Sequence, residues 1–114
     1  MAVSLEAEGT ANPVMDVELS LRIISTIGSY RLVLDLDEMV NDDVLIVRVK
    51  TEVLAADSRA IIESVRYADD QGVETQLIRS TWYVVVDASH SLEFTIEQTD
   101  GAAVRDFKWQ IAKF

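Results

Sequence analysis

A two-residue alternation of apolar and polar side chains runs through most of this chain. In the segment 30–37 the even positions are apolar and most of the odd positions are charged. The segment 45–53 repeats the pattern with Leu45, Val47, Val49 and Val53 on one side. Because successive side chains of a strand point to opposite faces, this period predicts half-buried β-strands.

Further alternating segments predict strands over 15–24, 61–67, 75–86 and 92–99, and from about residue 104 onward. Polar connections separate them, and Asp69-Asp70-Gln71-Gly72 is the clearest hairpin signal, because its glycine can supply the positive φ of a short turn. The pattern favours an all-β chain: a single antiparallel β-sandwich or flattened barrel of about seven strands.

The apolar sides of these segments define a predicted core. Its members are Tyr30, Leu32, Leu34, Leu45, Val47, Val49, Phe94, Ile96, Phe107, Trp109 and Ile111.

The first 13 residues lack sustained alternation, so we predict an N-terminal arm (1–13) followed by one β-sandwich domain (14–114). Pro13 has no backbone donor and restricts Asn12 to extended conformations, which disfavours a core strand that begins before it. The arm is expected to add little to folding. Val3 and Leu5 would instead fill pockets along a neighbour's strand edge.

Most catalytic chemistry is excluded because the residues it needs are missing. The chain has no cysteine and a single histidine, His90, in a polar connection, and no G-x-S-x-G motif surrounds any serine. One histidine cannot form an ordinary zinc site, and the four glycines match no phosphate-binding loop. The sequence predicts no enzyme, no catalytic residues and no cofactor.

Acidic side chains outnumber basic ones 20 to 10, for a net charge of −10, so nucleic acid is not expected as a partner. The acidic segment from Asp35 to Asp43 fails the EF-hand spacing, which leaves a solvated turn as the main interpretation and calcium binding as an open alternative. Glu93 and Glu97 would lie about 13 Å apart on one strand, outside the range of glycosidase carboxylate pairs.

Apolar residues also occupy strand faces that are expected to be exposed to solvent. The segment 82–86 is apolar on both faces, and Val44 and Ile46 lie on the charged face of their strand. We therefore predict Val3, Leu5, Val44, Ile46 and Trp82 as partner-binding residues and a homo-oligomer as the working state. A strand in the centre of the core remains an alternative for 82–86, and sugar stacking is an alternative for the two tryptophans, at positions 82 and 109.

The longest apolar runs are four or five residues, far short of the roughly 18 that a membrane helix needs, and no signal-peptide pattern occurs in the first dozen residues. We expect a soluble protein made in a cytoplasm, with no membrane partner.

The acidic, cysteine-free composition, the arm, the Asp69–Gly72 turn, the Ser-Thr-Trp-Tyr segment 80–83 and the Phe-Lys-Trp segment 107–109 together resemble small structural proteins of tailed-bacteriophage virions. Such proteins, of head-decoration or tail type, have β-sandwich or β-barrel cores that oligomerise and terminal arms that hook neighbours. The resemblance implies a virion component assembled in the host cytoplasm, with a coat or tail protein as partner.

Two functions follow as hypotheses. The first is a structural protein that self-associates and docks on a partner, and the alternative is a small β-module that binds glycan or depends on calcium. A stable oligomer without ligand would favour the first, whereas a monomer whose melting temperature shifts with calcium or sugar would favour the second.

Overall fold

The computed structural model describes residues 3–114, apart from the side chains of Val73 and Glu74. Within this range the chain forms nine strands and one short helical turn. In chain order they are β1 (Ser4–Ala11), β2 (Leu19–Ile24), β3 (Gly28–Asp35), β4 (Val44–Thr51), β5 (Ala60–Ala68), α1 (Gly72–Thr75), β6 (Leu77–Arg79), β7 (Tyr83–Val85), β8 (Leu92–Asp100) and β9 (Phe107–Lys113).

The strands form two antiparallel sheets. Sheet A has the order β1-β9-β3, with β6 and β7 both pairing with the far side of β3, and sheet B has the order β2-β8-β4-β5. The predicted all-β class is confirmed, but the described residues form nine strands rather than about seven.

One extra strand arises because the predicted strand 75–86 is interrupted. At the break, the Ser80 hydroxyl accepts a hydrogen bond from the Leu32 amide, and the Ser80 amide donates to the Leu32 carbonyl. A side chain therefore takes the place of a main-chain partner on β3, and the strand divides into β6 and β7.

The inward faces of the two sheets build one core. Ten of the eleven predicted core residues are buried, and Trp109 alone is partly exposed. Trp109 lies opposite Gly9 of β1, where an added Cβ would come within 3.3 Å of the indole ring. The ring thus extends across a glycine towards the margin of the core, where Leu19 and Leu21 also pack.

The N-terminal segment is part of sheet A, so the prediction that no core strand begins before Pro13 is wrong. β1 pairs with β9 from Ser4 opposite Lys113 to Ala11 opposite Phe107. A register shift between Leu5 and Ala7 breaks the two-residue period, because it places residue 5 outward and residue 7 inward. Because of this bulge, the sequence of β1 lacks the sustained alternation that predicts a strand.

The segment Asp69–Gly72 makes a turn, but it does not close the predicted hairpin. β5 ends in sheet B, whereas β6 lies in sheet A, so the segment crosses between the sheets. Asp69 and Gly72 have positive φ values of 68° and 64°, as the turn chemistry predicted. Asp69 also binds the β3–β4 connection, since its amide donates to the Asp43 carbonyl and its carboxylate accepts from the Asp42 amide.

A buried polar cluster ties the connections together at this end of the molecule. The Asp43 side chain, 1% exposed, pairs with the Arg105 guanidinium at 2.8 Å and accepts a hydrogen bond from the Val40 amide. Gln98, also fully buried, accepts from the Arg105 amide and donates to the Ala103 carbonyl. The cluster fixes the 101–106 connection against the 36–43 connection.

Candidate interaction surface

The outer face of sheet A carries an apolar patch where β1, β9, β3 and β7 meet. Leu5 lies opposite Ala112, which lies opposite Arg31, and Val84 lies opposite Ser29 in the neighbouring row. The Phe114 amide donates to the Ser29 carbonyl and so fixes the end of the chain beside this row. We call this surface the sheet A patch; it consists of Val3, Leu5, Trp82, Val84 and Phe114.

The side chains of the sheet A patch are well exposed. Val3, Leu5, Val84 and Phe114 are 48–61% accessible, and Trp82 is 36% accessible. A shallow depression of about 270 Å³ lies between Val3, Ser29, Trp82 and Phe114. Together the five side chains expose on the order of 500 Å² of apolar surface, which is near the upper end for the largest patch on a monomer.

The indole ring of Trp82 is held in place from two sides. The Phe114 ring meets it edge-on, with 5.7 Å between ring centroids and 68° between ring planes. The Arg31 guanidinium lies 5.0 Å from the centroid of the indole ring, in a cation–π contact. These two contacts fix the Trp82 side chain within the monomer, so less of its conformational entropy is lost on association.

Three of the five predicted partner-binding residues, Val3, Leu5 and Trp82, come together in this patch. Val44 is buried at 8% exposure within the monomer, so it belongs to no exposed surface. Ile46 is partly buried on sheet B, between Arg66 and Glu97 of the neighbouring strands. These two residues lie on the other sheet and do not extend the patch.

Two members of the patch were missed from the sequence. Val84 lies within the apolar segment 82–86, and its alternation with the inward residues Tyr83 and Val85 could have identified it. No periodic signal marks Phe114, because it follows the last residue of β9 and owes its position to its pairing with Ser29.

The outer face of sheet B has a different character, because ion pairs cover it. Arg48 lies 3.1 Å from Glu18 and 2.8 Å from Glu97, and Lys50 also pairs with Glu18. Partial burial acts to raise the pKa of Glu18, but hydrogen bonds from Lys50, Thr95 and Arg48 outweigh it and hold that pKa below its usual range. The charges of Glu18, Arg48, Lys50 and Glu97 are therefore compensated within the monomer.

Glu93 is engaged in a separate pair with Arg59, at 3.2 Å, and Arg59 also lies 3.6 Å from Glu52. Glu93 and Glu97 therefore bind different arginines, and they do not form a pair of carboxylates that face one cleft together. In the 35–43 segment, Asp35 accepts a hydrogen bond from the Asp37 amide. Across residues 3–114, no group of three or more His, Asp or Glu side chains is arranged to hold a metal ion.

His90 lies in the β7–β8 connection, where its Nδ1 is 3.0 Å from Asp87 Oδ1. The hydrogen bond that the His90 ring donates to Asp87 raises the pKa of His90, and the same bond, with those from Ser89, lowers the pKa of Asp87 to about 2. The contact of protonated His90 with Asp87 therefore contributes fully to the free energy of unfolding at pH values below about 6.5, the pKa of histidine in the unfolded chain. This contribution is lost as the pH rises through the higher pKa of His90 in the folded chain.

We expect the substitution Asp87→Asn to lower the pKa of His90, because the carboxylate that stabilises the imidazolium is removed. The pKa is read from an NMR titration of the imidazole protons. Asp70→Asn, in the connection between β5 and α1, removes one negative charge elsewhere and should leave that titration in place. An unchanged midpoint in Asp87→Asn would show that the two side chains do not interact in solution.

No helix among residues 3–114 is long and apolar enough to cross a membrane. No family model matches the chain, and comparisons with curated proteins and with solved structures find no significant similarity.

Proposed function

We propose that this chain is a non-enzymatic structural protein that works by self-association through the sheet A patch. The observation that carries the proposal is the convergence of five exposed apolar side chains, from three separate parts of the sequence, on one flat sheet face. Two such patches packed together would remove about 1,000 Å² from water, which is the scale at which specific interfaces begin.

Charge favours the sheet A patch as the region where two copies would meet. A net charge of −10 makes copies of this chain repel one another over most orientations. None of the five patch residues is acidic, and the charged side chain in contact with Trp82 is the cation Arg31. When two copies meet through their sheet A patches, the apolar surfaces come together without placing acidic side chains of the patch against each other.

The resemblance to phage virion proteins extends this proposal. A protein that self-associates through one face and docks on a coat or tail protein would serve as a head-decoration or tail component. The alternative of glycan binding has less support, because Arg31 covers one face of the Trp82 ring and Phe114 packs against the ring in a T-shaped pair. Both contacts reduce the flat aromatic surface on which a sugar could stack.

The substitution Val84→Lys tests the proposal, because Val84 is 61% exposed in the monomer and would be buried between two copies. An unpaired ammonium group buried at an interface is costly, so we expect the dissociation constant to rise at least about tenfold. Analytical ultracentrifugation over a concentration series measures it.

Val53→Lys is the matched control, since Val53 is 74% exposed in the β4–β5 connection, away from the patch. It should associate as the unsubstituted chain does. A chain that stays monomeric at about 1 mM, or equal dissociation constants for the two variants, would overturn self-association through this patch.

A further inference from the structure

The open side of the two-sheet structure presents a cleft that the sheet A patch does not use. It lies between β5, at one edge of sheet B, and β6, at one edge of sheet A. Its volume is about 210 Å³, and its walls include Leu32, Val47, Val49, Val65 and Ile78. The cleft stays open because β6 has only three residues and ends at the Ser80 interruption.

β5, at the free edge of sheet B, borders this cleft. It is nine residues long, and within residues 3–114 no strand pairs with its outer side. Ile61, Ile62 and Val65 are exposed by 54%, 47% and 36% on this strand. It contains neither proline nor lysine, the residues that commonly blunt such edges, although Glu63 points inward and the register shifts beside Ile61.

Polar groups of both signs line the cleft. Glu63 offers an acceptor and Arg79 offers donors, and neither forms an ion pair with another of the described residues.

We propose that this edge and cleft bind an extended apolar segment of a partner protein, which adds to sheet B as a strand beside β5. The main chain of such a segment carries donors and acceptors in alternation, which suits both the free edge and the mixed polar groups. Its alternate side chains reach the cleft, whose volume accommodates one or two apolar side chains. A small-molecule site is usually larger, at about 300–1,000 Å³.

The probe for this proposal is a capped nonapeptide, Thr-Val-Thr-Val-Lys-Val-Thr-Val-Thr, which matches β5 in length and places its valines on one face. Titration into the isotopically labelled full chain, followed by NMR, should shift the amide signals of β5 and of the cleft. The test is independent of self-association, so it is repeated in the Val84→Lys chain with the same expected result.

Two modified peptides test main-chain pairing. One carries N-methyl groups on all its valines and the other on all its threonines, so each blocks the amides along one edge of the extended peptide. Strand addition requires that only one of the two lose binding, by at least about tenfold, because the other edge faces solvent. Any other combination, or no shift with the parent peptide, overturns the proposal.

Two substitutions locate the binding surface. Val65→Lys puts a charge into the cleft and should weaken peptide binding at least about tenfold. Ser64→Lys is its matched control, because Ser64 lies opposite Arg48 on the outer face, where Glu18 and Glu97 supply compensating charge. Equal binding by both variants would contradict the site. Shifts of β5 amides on concentrating the protein alone would show that a second copy, rather than a partner protein, occupies this edge.

Discussion

Deletion of residues 2–12 is expected to destabilise the protein strongly. This deletion removes β1, whose ladder with β9 extends from Ser4 to Ala11 and buries Ala11 beside the core. Without it, β9 becomes an edge strand with unpaired main-chain groups, and the ring of Trp109 loses the glycine surface that it covers. The ladder has seven paired positions and so about one hydrogen bond for each; at a net contribution of about 0.5–1.5 kcal/mol per bond, the expected loss is at least about 4 kcal/mol.

Urea denaturation followed by circular dichroism measures this loss. The deletion is made in the Val84→Lys chain, so that any change in self-association does not contribute to the measured stability. A melting temperature lower by more than about 10 °C is expected. Val3→Ser, outside β1 and 56% exposed, is the control and should change stability by less than about 0.5 kcal/mol. An unchanged melting temperature in the deletion would restore the interpretation of this segment as an arm.

The sequence predicted the fold class and nearly the whole core because the alternation in 30–37 and 45–53 reflects burial on one face directly. It failed where register is irregular. The bulge between Leu5 and Ala7 shifted the period of β1, and the Ser80 interruption divided one predicted strand into two. The turn chemistry of Asp69–Gly72 was correct, but a turn does not determine whether the following strand returns to the same sheet.

The candidate surface was predictable only in part, for a similar reason. Exposed apolar residues can be recognised in the segment 82–86, but their neighbours Val3 and Phe114 flank β1 and β9, which only tertiary pairing brings together. The prediction that Val44 lies on a solvent-exposed face is wrong, because the start of β4 is covered where it pairs with both Ala68 and Asp100.

The outer faces of the two sheets differ in chemical character. Sheet B carries ion pairs among Glu18, Arg48, Lys50 and Glu97, so these four charged groups have partners within the monomer. Sheet A exposes the apolar side chains of the sheet A patch at one end. Exposed apolar surface is removed from water on association. We therefore propose that the chain associates through the outer face of sheet A rather than through the ion-paired outer face of sheet B.

The second large effect is expected from Arg105→Ala, which removes the partner of a buried carboxylate. Asp43 is 1% exposed, and its Oδ2 atom would retain only the hydrogen bond from the Val40 amide. Its Oδ1 atom has no partner within residues 3–114, and Gly101 packs so closely that an added Cβ would lie 2.3 Å from that atom. Gly101 therefore keeps solvent from Oδ1, and water reaches Oδ2 only through the space that the guanidinium vacates.

Breaking a buried pair from one side usually costs about 3–5 kcal/mol, and the 23% exposure of Arg105 places the expected loss near the lower end, at about 3 kcal/mol. Urea denaturation measures it, and Lys108→Ala, an exposed residue of the adjoining strand β9, is the control with less than about 0.5 kcal/mol of change. The double variant Asp43→Asn with Arg105→Ala should recover part of the loss, because the neutral amide no longer needs a cation. If the double variant were as unstable as the sum of its two single variants, the stability of this end would come from the backbone contacts of Gln98 rather than from the ion pair.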